Sequence, residues 1–128
     1  MAATCVAKVD ILLNGLGNEI EKRIRFATTN TPEAVQVIYG TLAATTPEAL
    51  PLGQVAASLV DLVYIKAIAN TIYVSPTTTV STNEIIVLAA SEAALFRPYV
   101  AGATAVAPGL WSATATAKYE AIIVGQSS

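Results

Sequence analysis

The chain has 128 residues, 54% hydrophobic and 12% charged, with seven Lys or Arg against nine Asp or Glu for a formal net charge of −2. That length fits one domain, and so few charges cannot cover its surface, which leaves Thr, Ser, Ala and apolar side chains facing water or other subunits. Nucleic acid is excluded as a partner, because the basic cluster Lys22, Arg23 and Arg25 is interleaved with Glu19 and Glu21 and reads as a salt-bridged strand face.

The run Val6 to Leu13 predicts a first strand, closed by Asn14-Gly15-Leu16-Gly17-Asn18, where Asn and Gly tolerate positive φ. From Ile20 to Thr28 the apolar Ile20, Ile24 and Phe26 share one parity and Glu21, Arg23 and Arg25 the other, the pattern of a half-buried strand. After a break at Thr29 to Glu33, Ala34 to Tyr39 reads as a third strand ending at Gly40. Thr41 to Ser58 is expected to be a long connection from one sheet to the other, with Thr46 and Pro47 placed to start a helical turn that Pro51 and Gly53 would stop.

Leu59 to Lys66 and Asn70 to Ser75, separated by Ala67-Ile68-Ala69, look like a hairpin. Asn83 to Ala89 predicts another strand and Glu92 to Arg97 a short one. Pro98 to Gly109 reads as a loop. Leu110 to Ala117 and Lys118 to Val124 close the chain. The total is about eight strands, and the expected fold is a single all-β domain over 1–128, a two-sheet antiparallel sandwich of jelly-roll-like order. Leu95, Phe96, Trp111, Tyr119 and Ile122 are the candidate core residues.

The chain has no His and one Cys, Cys5. That removes nucleophile–His devices, most zinc sites and any internal disulfide. The carboxylates are scattered, with solvent-facing positions as the default, and Asp10 has Lys8 two residues away on the same face. Gly15-Leu16-Gly17 leads into a strand, where a dinucleotide loop needs a helix. No catalytic, cofactor-binding or metal-ligating residue is expected, and an enzyme is not. Met1 to Lys8 lacks the layout of a signal peptide, and Pro98 to Ala117, the longest uncharged stretch, is broken by Pro98, Gly102, Pro108 and Gly109 and cannot be a membrane helix. No membrane or small-molecule partner is therefore expected.

Three segments carry a likeness to known proteins: Thr46-Pro47-Glu48-Ala49-Leu50-Pro51-Leu52-Gly53; Leu62-Val63-Tyr64-Ile65-Lys66 followed by Thr71-Ile72-Tyr73-Val74-Ser75; and Ser91-Glu92-Ala93-Ala94-Leu95-Phe96-Arg97-Pro98. With the Ala- and Thr-rich end from Trp111 to Val124, they resemble the small β-sandwich virion proteins of tailed bacteriophages. The resemblance implies a structural role without catalysis at the capsid or tail of the particle, and the favoured expectation is a decoration or cement subunit on the capsid exterior, made in the host cytoplasm. The implied partners are the major capsid protein and copies of the chain itself, as a homotrimer. The region from Thr104 to Thr116 and the apolar amino terminus are the expected contact surfaces. A tail-fibre or carbohydrate-binding module is the alternative, with Tyr99 as the one tyrosine expected in a loop, and a head–tail adaptor subunit is a third reading.

Overall fold

A computed structural model describes residues 4–13, 17, 20–27, 32–75, 86–97 and 108–127. Val6–Leu13 (β1) and Ile20–Ala27 (β2) pair antiparallel over their full length and form a two-stranded sheet of their own. On β2 the expected polar parity holds: Glu21, Arg23 and Arg25 are exposed while Ile24 is half-buried. Arg23 faces Asp10 at 3.6 Å and Glu21 at 3.4 Å, so this member of the basic cluster sits in a local salt-bridge set. Of the expected turn at 14–18, only Gly17 lies inside the described residues, at φ +91°.

The other eight strands are Ala34–Leu42 (β3), Glu48–Ala49 (β4), Val60–Ala69 (β5), Ile72–Ser75 (β6), Ile86–Leu88 (β7), Ala93–Phe96 (β8), Gly109–Trp111 (β9) and Ala117–Gly125 (β10). They form two four-stranded antiparallel sheets, ordered β3-β10-β5-β8 and β4-β9-β6-β7. Pairing is nested: β3 with β10, β4 with β9, β5 with β8, and β6 with β7 at the centre. A long hairpin wrapped onto itself in this way is a jelly roll. The expected sandwich is present, in jelly-roll order.

Alternation explains which face each strand buries. Val63, Ile65 and Ala67 on β5, Tyr119, Ala121 and Ile123 on β10, Ile72 and Val74 on β6 and Leu110 on β9 point between the sheets and are almost fully buried. Each such apolar side chain contributes on the order of 1.5–3 kcal/mol. Tyr119 lies directly opposite Gly40. A Cβ at Gly40 would sit 2.5 Å from the Tyr119 ring, so the missing side chain is what lets that ring into the sandwich.

Several expectations are corrected. The pair β5 and β6 is not a hairpin, because the two strands lie in opposite sheets. Ala67 keeps the inward parity of Val63 and Ile65 and is fully buried, so β5 runs on to Ala69, and Asn70 at φ +64° then turns the chain across the sandwich. No helical turn forms at Pro47: Glu48 and Ala49 pair with Leu110 and Gly109, and the Leu50 N–H continues toward the Pro108 carbonyl at 2.8 Å. Pairing there buries Leu50 completely, which a solvent-facing turn would not. The 41–58 segment does cross between sheets, and it returns through a 3₁₀ turn at Ala57–Leu59.

The expected strand Leu110 to Ala117 is confined to β9, since Ser112 to Thr116 turn the chain with Thr116 at φ +64°. The Ser112 hydroxyl holds this corner, donating to the Thr71 carbonyl at 2.8 Å and accepting the Thr114 N–H at 3.2 Å. Its carbonyl accepts the Thr45 N–H at 2.8 Å. The expected strand at 83–89 is described from Ile86 only, and 98–107, most of the expected loop, lie outside the described residues, as does Tyr99.

Candidate interaction surface

Trp111 and Tyr119 are buried and Phe96 packs against the core, as expected of core residues. Ile122 is not in the core: it is 40% exposed, because on β10 it shares its parity with Lys118 and Glu120 rather than with Ile123. Leu95 likewise lies on the outer side of β8, half-buried, while Ala94 and Phe96 face in.

These two residues belong to the outer face of the β3-β10-β5-β8 sheet. Register places Val35, Val124 and Leu62 in one row across it, Val37, Ile122, Tyr64 and Leu95 in the next, and Tyr39, Glu120, Lys66 and Ala93 in the third. Two of these rows are entirely apolar apart from the Tyr64 hydroxyl. On a two-layer sandwich this face ordinarily carries the polar residues.

The β1–β2 hairpin lies over part of this face. Cys5, Ala7, Val9 and Ile24 from the hairpin and Val37, Leu62, Tyr64, Leu95 and Ile122 from the sheet line a cleft of about 850 Å³ between them. Of the expected apolar amino terminus, Cys5, Ala7 and Val9 are therefore half-buried against the chain's own sheet, while Val6 is exposed and 1–3 lie outside the described residues. Inside the cleft the Tyr64 hydroxyl donates to Glu120 Oε1 at 2.9 Å. Burial, this hydrogen bond and the Glu120 charge together push the Tyr64 phenol above its ordinary value.

Cover is uneven. Leu62, Tyr64 and Leu95 are half-buried and Val124 is buried, whereas Val35 is 60%, Val37 54% and Tyr39 75% exposed. Exposure thus rises toward β3, the edge of the sheet. The other expected contact region places differently: Pro108 to Ser112 are buried, Ala113 to Thr116 form an exposed turn, and 104–107 lie outside the described residues.

Sequence reasoning missed Val35, Val37 and Tyr39 as surface residues. The signal was present, since β3 is apolar on both parities, with Ala34, Ile38 and Leu42 on one and Val35, Val37 and Tyr39 on the other. An antiparallel strand apolar on both parities must expose one set unless something covers it. Sequence also missed Asp61, a buried carboxylate among residues read as solvent-facing; its Oδ1 lies 4.0 Å from Arg97 Nη2.

Among the described residues, no three His, Cys, Asp or Glu side chains converge where a metal ion could be held, and no helix is long and apolar enough to cross a membrane. A scan against protein-family models found no match, and searches of curated proteins and of solved structures found none.

Proposed function

We propose that this chain is a structural subunit that works by packing, without catalysis, and that the outer face of the β3-β10-β5-β8 sheet is the surface it packs with. The observation that carries this reading is the exposure of Val35, Val37 and Tyr39, the first two in apolar rows, on an edge strand that contains no charge. Contiguous apolar surface of this kind marks an interaction site on a soluble protein, and chains with ordinary charge content seldom leave it bare. A subunit of this type stabilises a larger particle by buried area and mass action.

Its proposed station is the capsid exterior of a tailed bacteriophage, as a decoration or cement subunit bound to the major capsid protein and to its own copies. The sequence resemblance supports that station, and so does the jelly-roll order, an architecture that viral capsid domains use but share with lectins and cupins. A homotrimer is the arrangement the resemblance implies. The test is the mass of the purified chain by light scattering, followed by its copy number on the purified particle. An oligomer present in many copies per particle is the expected result, and a stable single chain absent from every particle would overturn the reading.

One observation favours a second reading. Tyr39 is exposed beside the hydrogen-bonded Tyr64 and Glu120, and an exposed aromatic ring next to hydrogen-bonding groups is a surface on which a sugar ring can stack. A carbohydrate-binding module of a tail fibre would bind glycans, and would lose that binding on Tyr39→Ala.

A further inference from the structure

Sheet edges expose unpaired N–H and C=O groups, and folded proteins blunt them by shortness or by charge. Among the described residues, the jelly roll's edge strands β4, β7 and β8 have two, three and four residues. Both strands of the β1–β2 hairpin are long, but they carry Lys8 and Asp10 on one and Glu21, Lys22, Arg23 and Arg25 on the other. β3 is different: nine residues, no charge, no proline and β10 on one side only. It is the one long, unblunted edge among the described residues, and three exposed apolar side chains, Val35, Val37 and Tyr39, lie along it.

We infer that β3 is the pairing edge for β3 of a second copy, antiparallel about a two-fold axis beside Val37, making one continuous eight-stranded sheet. The inference rests on the reading of the chain as a self-packing subunit and names the contact. An axis normal to the sheet keeps the outer face on one side. Val35 then meets Tyr39 of the copy, Val37 meets its own counterpart, and Gln36 meets Ile38, so the two apolar faces join. Strand-to-strand addition of this kind draws its affinity from main-chain hydrogen bonds and its register from the side chains.

Charge supports this register. With Val37 on the axis, Glu33 of one copy lies opposite Thr41 of the other, and Thr41 is the β10 partner of Lys118. Glu33 and Lys118 are both exposed and both on the outer side, so opposite charges come within about 10 Å, two strand spacings, at each end of the contact. Between them no charge on β3 repels its own copy. The contact is compatible with any oligomer set elsewhere, since a two-fold edge can pair single chains or join larger rings.

The test is a charge swap at the axis, read by sedimentation equilibrium. Val37→Lys alone and Val37→Glu alone each set two like charges directly opposite one another and are expected to weaken association by about tenfold or more, halving the wild-type mass. Mixing the two variants is expected to restore it. Retention of the wild-type mass by either variant would overturn β3 pairing while leaving assembly through another surface intact. A wild-type chain that stays single at every concentration would also overturn it, and the copy number on the particle then decides the wider role separately.

A second variant does not depend on charge. In a Cys5→Ser background, Val37→Cys brings two thiols onto the axis at a Cα spacing of about 4.5–5.5 Å, inside disulfide range. It is expected to oxidise to a covalent pair, while Val87→Cys, exposed on the other sheet, does not. Equal cross-linking at both positions, or none at Val37→Cys, would overturn the pairing.

Discussion

At Gly40 a single hydrogen atom decides how the first sheet closes on the second. The Tyr119 ring occupies the space where a Cβ would be, 2.5 Å away, and is itself almost fully buried. Gly40→Ala gains about 0.5–1 kcal/mol of backbone entropy, but displacing a packed ring costs about 1–3 kcal/mol, so the clash outweighs the gain. Net destabilisation is the expected outcome, checked by denaturant unfolding. Tyr119 also titrates in a way that reports on the core. Burial, and then the Glu48 charge, raise its phenol above the ordinary 10.0. The folded state therefore holds that proton more tightly than the unfolded chain, so its contribution is intact below pH 10 and is lost as pH climbs above it. Tyr119→Phe is expected to soften the alkaline fall in melting temperature, measured against wild type on both sides of that pH. An equal fall in both proteins would show that the core tyrosine is not its source.

Elements that are periodic could be read from the sequence, and elements defined by distant partners could not. In β10 the alternation of Tyr119, Ala121 and Ile123 against Lys118 and Glu120 marks the buried parity plainly, and Ile122 was misplaced only because its type outweighed its parity. The strand pattern of β5 and β6 was equally legible, yet nothing local says that their 70–71 connection crosses the sandwich. That is settled by β10 and β8 flanking β5 while β9 and β7 flank β6, pairings between residues tens of positions apart. β4 has two residues and no periodicity to read; only Gly109 and Leu110 make it a strand. Two substitutions test the element-scale account. Ile65→Ala, at the centre of β5 and fully buried, is expected to cost about 2–5 kcal/mol by chemical denaturation. Ser112→Ala removes the hydroxyl that donates to Thr71 and accepts from Thr114 at the β9 corner, and is expected to cost about 1–3 kcal/mol by the same measurement. A loss within about 0.5 kcal/mol, the range of ordinary surface changes, would mean that this corner is held by backbone contacts alone.

For the whole molecule, a low charge content and a jelly roll combine to leave one sheet face dry on the inside and apolar on the outside. The inner face is consumed by the sandwich. The outer face is partly roofed by the β1–β2 hairpin, and the remainder, on β3, is open. The sequence announced a surface short of charge but pointed to the Ala- and Thr-rich carboxyl-terminal region, because composition locates no face; only the register of β3 against β10 shows which side chains line up. The central claim is that this open strand is covered in the working assembly. Hydrogen exchange across residues 34–42 tests it most directly, comparing the dilute chain with the assembled one. The expected result is slowed exchange at the open-edge amides of β3 on assembly, with β7, exposed at Val87 on the opposite sheet, unchanged. Identical exchange of 34–42 in the dilute and assembled protein would contradict the account.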